Sequence, residues 1–166
     1  EAGYPDGFPV TCILLANSSD EQTNLTLVQQ MWAEVGVKMT IETLDNASRN
    51  ARYNGEDFQC RVQFWTNDIA DASQITSYVA YYPNVHALHT GYNNDELNKL
   101  YEESLTASDP EKRAQMYKRI QEIYSPTGPM IYLYETPFPV AFNTKTKGFI
   151  QTPLGTNVFE GAYKEQ

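Results

Sequence analysis

Phe64-Trp65-Thr66-Asn67-Asp68-Ile69-Ala70-Asp71 puts an indole and two carboxylates into one short stretch. The indole offers a flat stacking face, and a carboxylate three residues later can receive a cation leaving water. Read alone, an Asp after a strand is most often a turn residue or a helix N-cap. Asp68 and Asp71 can also be read as a general acid/base pair. Hydrolytic pairs hold their carboxyl groups about 5 to 9 Å apart, and two turn residues meet that spacing too easily for it to carry weight. His86 and His89 would share a face if their segment were helical. Pro, Gly and Asn around them predict a loop instead, and a metal centre would need further ligands within reach. No Ser sits in a G-x-S-x-G context and no glycine-rich phosphate loop follows a strand, so neither nucleophilic catalysis nor a cofactor is expected.

Twelve tyrosines in 166 residues is a high share. Tyr78, Tyr81 and Tyr82 cluster, as do Tyr132 and Tyr134, and such groups suit recognition surfaces as well as core edges. Asn17-Ser18-Ser19, Asn24-Leu25-Thr26 and Asn46-Ala47-Ser48 match the glycosylation sequon, which matters only in a eukaryotic secretory protein.

The elements that must position these residues follow from period and punctuation. Val10 to Ala16 is an apolar run of strand length. Asn17 to Asp20 forms a turn, with Ser19 and Gln22 at capping-box spacing. Leu25, Val28, Trp32 and Val35 then recur at helical intervals, and Gly36 sits where a C-cap glycine belongs. From Val37 to Leu44 the pattern alternates, with Val37, Met39, Ile41 and Thr43 on one face. Strand, helix, strand predicts a right-handed βαβ unit. Asn46 to Asn54 reads as a short polar helix. Phe58 to Thr66 reads as a third strand with Phe58, Cys60, Val62 and Phe64 on one side, and the Trp65–Asp68 stretch lies at its C-terminal end, where ligands of open α/β sheets bind.

Asp71 to Tyr82 reads as helical and 83–94 as a loop. Two amphipathic helices follow. One uses Leu97, Leu100, Tyr101 and Leu105. The other opens at Asp109-Pro110, uses Tyr117, Ile120 and Tyr124, and stops at Ser125–Pro129. Met130 to Glu135 and Val140 to Thr144 read as strands, and the tail from Lys147 shows no period. The class is α/β with a mixed sheet of about five strands and flanking helices, and 1–166 is read as a single domain.

Twelve Lys and Arg against 21 Asp and Glu give a net charge of −9. That balance argues against nucleic acid and against anionic lipid, which draw affinity from cations. Hydrophobic residues at 41% supply a core and exclude disorder. No run approaches the roughly 20 apolar residues of a membrane span. Cys12 and Cys60 fall in expected strands and read as small buried side chains. A disulfide between them is disfavoured, because neighbouring strands seldom meet its torsion. The chain opens at Glu1 with neither Met nor a signal peptide, so it is expected to be a processed product or a piece of something longer.

Taken in order, several weak motifs resemble one family. Glu1-Ala2-Gly3-Tyr4-Pro5-Asp6-Gly7-Phe8 is similar to the turn that opens the C-terminal lobe of the dipeptide/oligopeptide-binding proteins of ABC importers, the family 5 extracellular solute-binding proteins. Trp32 to Ile41, Gly55-Glu56-Asp57-Phe58, Trp65-Thr66-Asn67-Asp68 with Asp71, Gly91 to Leu97, Asp109-Pro110-Glu111-Lys112-Arg113 and Pro129 to Tyr134 resemble its later motifs. The resemblance implies one lobe of a periplasmic-binding-protein-like class II fold, with the N-terminal lobe absent. It implies a bacterial receptor, periplasmic or on the outer face of the membrane, that closes two lobes around a peptide or other small solute and delivers it to a permease.

By the same resemblance Asp68 takes the peptide's α-ammonium, while Trp65, Thr66, Asn67 and the adjoining Phe64 line the cleft. Ala72, Ser73 and Tyr132 depart from the usual residues, and relatives carry nickel chelates, haem or oligosaccharides. The alternative is a stand-alone interaction domain or a hydrolase using Asp68 and Asp71.

Overall fold

The computed structural model describes residues 3–85 and 88–166, and the chain divides into two compact units, 1–65 and 66–166. The opening turn residues Glu1 and Ala2 lie outside the described residues.

The first unit is built on strand β1 (Phe8–Leu15), helix α1 (Ser19–Glu34), strand β2 (Val37–Leu44), helix α2 (Asn46–Asn54) and strand β3 (Cys60–Arg61). The sheet order is β2-β1-β3, all parallel, so the three expected strands do share one sheet. β1 and β2 pair along their full length, from Phe8 opposite Val37 to Leu15 opposite Leu44. Cys12, Leu14, Leu25 and Met39 form the buried core, with Val28, Trp32, Ile41, Cys60 and Val62 packed against it. Leu25, Val28 and Trp32 thus cover the sheet as their spacing predicts. Val35 does not. The helix ends at Glu34, and Val35 follows it at the C-cap, 76% exposed.

The first turn of α1 is also simpler than expected. Ser18 is the N-cap without a side-chain cap bond, so the Ser19–Gln22 box is not used.

β3 is much shorter than 58–66. The Thr11 N–H donates to the Gln59 side-chain Oε1 at 2.6 Å, so a side chain takes the place of the next backbone rung. Beyond Arg61 the chain leaves the sheet, and Phe64 is 66% exposed rather than packed with Cys60 and Val62. Before β1, Gly7 turns at φ +76° beside Gly36 at φ +87°. A Cβ on Gly7 would lie 1.7 Å from the Gly36 carbonyl oxygen, so this close approach of two backbones admits glycine alone.

The second unit is mainly helical: α3 (Ala72–Val79), α4 (Tyr82–Val85), α5 (Asp95–Thr106) and α6 (Pro110–Thr127). Asn94 caps α5 by accepting the Leu97 N–H at 3.0 Å. Asp109 caps α6 by accepting the N–H groups of Glu111 and Lys112, ahead of Pro110 at the first helical position. Leu97, Tyr101 and Ser104 on α5 and Tyr117, Ile120 and Tyr124 on α6 are buried. Leu105 is 56% exposed, because it lies off the Leu97–Tyr101–Ser104 stripe. α6 continues through Pro126 to Thr127 instead of stopping at Ser125. A proline in the last turn removes only one backbone bond, and the Thr127 hydroxyl donates to the Ile123 carbonyl at 2.7 Å.

The strands expected at 130–135 and 140–144 do not form, and 131–142 is exposed throughout. Apolar composition marks these segments as strand-like, but a strand needs a neighbour, and none pairs with them among the described residues. The tail, which has no readable period, instead forms two small antiparallel pairs. β4 (Thr146–Lys147) pairs with β7 (Tyr163–Lys164), and β5 (Ile150–Gln151) pairs with β6 (Asn157–Val158). The α/β class therefore holds, with one three-stranded sheet and two ribbons among the described residues in place of a single sheet of about five strands.

Candidate functional site

Phe64 and Trp65 close the first unit, while Thr66, Asn67 and Asp68 open the second. Phe64 and Thr66 are exposed, and Trp65 and Asn67 are half-buried. Asp68 is exposed and is fixed locally by Gln74 of α3. The Gln74 Nε2 donates to Asp68 Oδ2 at 2.9 Å, and the Gln74 Oε1 accepts the N–H groups of Asp68 at 2.7 Å and Ile69 at 3.1 Å. One amide side chain therefore orients both the backbone and the carboxylate of the turn.

Asp71 is differently employed. It is the N-cap of α3, and its Oδ1 accepts the Ser73 N–H at 2.8 Å. Arg113 binds it with both terminal nitrogens, Nη1 to Oδ2 and Nη2 to Oδ1, each at 2.8 Å. This parallel two-bond geometry is the strong form of the arginine–carboxylate pair. Arg113 lies in the first turn of α6, one turn after the Asp109 cap. Its Nε donates to the Ser104 carbonyl at 3.1 Å, and the guanidinium carbon lies 5.0 Å from the Tyr117 ring centroid. Ser104 and Tyr117 meet below it, with their hydroxyls 2.9 Å apart. A single side chain thus ties the start of α3 to the end of α5 and the start of α6.

The Arg113 hydrogen bonds, followed by those from Ser73, hold the Asp71 carboxyl well below the usual carboxylate range. Such a group stays ionised near neutral pH, so it cannot serve as the acid of an Asp68–Asp71 pair, and both of its oxygens are already engaged by Arg113 and the Ser73 N–H.

Of the expected site residues, the second unit brings Asp68 and Asp71 to the same end of α3 with separate partners. Gln74 and Arg113 were not singled out as partners from sequence. The spacing of Asp109-Pro110 and Arg113 places residue 113 in the first helical turn, but nothing local names Asp71, 42 positions away, as its partner. His86 lies outside the described residues. His89 sits in a turn at φ +52°, which does not present a helical face. Among the described residues no group of His, Cys, Asp and Glu is arranged to hold a metal.

The chain belongs to the bacterial extracellular solute-binding proteins, family 5 (middle region), whose family model matches residues 1–86. It is 26% identical to heme-binding protein A of Haemophilus influenzae over 97% of this chain and 30% of that protein. It is 28% identical to the glutathione-binding protein GsiB of Salmonella typhimurium over 90% of this chain and 31% of that protein. The structure of HbpA2 from Haemophilus parasuis superposes with a TM-score of 0.75 over 99% of this chain and 33% of that one, at 22% identity, which shows a common fold. The chain spans about a third of the length of these relatives.

Proposed function

We propose that residues 1–166 are one contiguous piece of the C-terminal lobe of an ABC-importer substrate-binding protein, and that the solute is a peptide held through its N-terminal ammonium by Asp68. The observation that carries this reading is the division of labour between the two carboxylates. Asp71 is consumed by Arg113 and the α3 cap, whereas Asp68 is exposed and only oriented, by Gln74. An oriented, accessible carboxylate suits a cation that arrives from outside. Thr66 and Asn67, next to Asp68 in the same unit, would border the same ligand. Membership of the family and a relative named for glutathione, itself a peptide with a free ammonium, support a peptide solute. A relative named for heme marks the competing ligand class.

The partners under this reading are the N-terminal lobe of the same parent chain and an ABC permease, on the outer side of a bacterial membrane. The exposed apolar side chains of Ile131, Tyr132, Leu133, Tyr134 and Phe142 support further protein covering that segment. No reaction is assigned to the chain. Its relatives are named as binding proteins, and both oxygens of Asp71 are taken up by Arg113 and the α3 cap.

Thermal-shift measurements on the full-length parent protein with free peptides, glutathione and haem test the ligand class. Stabilisation by peptides with a free N-terminus is the expected result. Stabilisation by haem alone would replace the peptide reading with the other one.

A further inference from the structure

Cys12 and Cys60 stand directly opposite each other on the adjacent parallel strands β1 and β3. Both side chains belong to the same core cluster, so they lie on the same face of the sheet. Both are free thiols, and their exposure differs: Cys12 is 1% exposed, whereas Cys60 is half-buried. The Cys60 Sγ lies 3.7 Å from the Thr11 carbonyl oxygen, next to Cys12 along β1. Adjacent strands run about 4.8 Å apart, and a disulfide spans Cα separations of about 4.4 to 6.8 Å, so paired cysteines in this register are within bonding reach.

We propose that Cys12 and Cys60 form a thiol–disulfide exchange site that reversibly staples β3 to β1. The asymmetry of the pair sets the order of steps. Cys60, the more accessible thiol, loses its proton, and its sulfur attacks an external disulfide such as oxidised glutathione, expelling one glutathione thiolate. Cys12 then loses its proton and attacks the Cys60 sulfur of the mixed disulfide, expelling the second thiolate. The two cysteines give up two electrons and two protons, and one glutathione disulfide becomes two glutathione thiols. The hydrogen bond from Cys12 favours the Cys60 thiolate, and the same bond together with burial pushes the Cys12 thiol up, in keeping with Cys60 as the first nucleophile.

The staple acts where the sheet is weakest. β3 contributes only Cys60 and Arg61 to its ladder, and the chain runs from there into Phe64 and Trp65. Both thiols are free in the structure, and thiol–disulfide exchange runs in either direction with the surrounding redox poise. The pair is therefore a reversible site and not a permanent cross-link. The inference rests on the first unit alone and does not depend on the nature of the solute.

The test is to equilibrate the folded protein with mixtures of oxidised and reduced glutathione, block free thiols, and read intact mass and peptide map. The expected product is a monomer lighter by two hydrogen atoms with Cys12 linked to Cys60, reverting in millimolar reduced glutathione. Cys12→Ala should stop at a glutathione adduct on Cys60, whereas Cys60→Ala should gain little adduct because Cys12 is shielded. Wild-type protein that keeps both thiols, or that closes the bond only in denaturant, would overturn the proposal whatever the two variants do. A linked product that resists millimolar reduced glutathione would overturn its reversible character.

Discussion

Arg113 reaches across 42 positions of sequence to grip Asp71 through two hydrogen bonds of 2.8 Å, and that pair sets Asp71 apart from its exposed neighbour Asp68. Arg113 also binds the Ser104 carbonyl, so the α3 cap, the end of α5 and the start of α6 are held at one point. With Asp71 so employed, Asp68 is the exposed member of the two, held by Gln74.

Replacing Asp71 by Asn keeps a capable N-cap but removes the charge. The pair is about a third exposed on each side, which screens it, so the loss at neutral pH should be about 1 kcal/mol. Asp71→Ala, which also removes the cap, should lose about 2 kcal/mol. The folded carboxyl titrates below its unfolded value near about 3.9, so the wild-type advantage is fully present above that pH. It shrinks as pH falls below it. Urea denaturation at pH 7 and pH 3 measures both values, and a pH-independent difference would contradict the assignment.

Gln74 should matter to the turn more than to the fold. Gln74→Leu removes the acceptor of the Asp68 and Ile69 amides, and hydrogen exchange at those two positions should rise by about 2- to 10-fold, for roughly 0.5–1.5 kcal/mol per bond. Unchanged exchange there would show that the turn holds itself.

Two glycines offer a controlled comparison of backbone geometry. Gly3 and Gly7 both have positive φ, at +81° and +76°, but only Gly7 faces another backbone. Gly3→Ala should cost about 1 kcal/mol, from the left-handed conformation alone. Gly7→Ala adds a collision with the Gly36 carbonyl and should cost about 3 kcal/mol. Equal losses in chemical denaturation would mean that the Gly7–Gly36 approach relaxes freely.

How much of this was legible in the sequence depended on the range of the interactions. The βαβ start was readable because Leu25, Val28, Trp32 and the alternating Met39 and Ile41 are patterned by local periods, and the caps at Asp109 and Asn94 carry their own chemistry. The short β3 was not, because a Gln59 side chain takes the Thr11 N–H just before Cys60 and the chain leaves the ladder after Arg61, neither of which a local pattern marks. Residues 130–144 misled for a similar reason, since Ile131 to Tyr134 have strand composition but no partner strand among the described residues. At the site, Asp68 and Asp71 were visible as types, but their roles depended on Gln74 and on Arg113, and the latter pairing spans too much sequence for any local pattern.

The central claim is that Asp68 receives a peptide ammonium, and a double-mutant cycle by calorimetry on the full-length parent protein tests it most directly. Truncating one partner of a buried charge pair costs about 2–5 kcal/mol, because the other charge is left unpaired, and each 1.4 kcal/mol is roughly tenfold in affinity. Asp68→Ala should therefore weaken a free peptide by at least about 30-fold. Acetylating the peptide's N-terminus should cost wild type a similar factor. The two changes together should cost little more than either one, because they remove the same contact. If Asp68→Ala binds free and acetylated peptides as tightly as wild type does, the ammonium anchor lies elsewhere and the solute is not held by its N-terminus at Asp68.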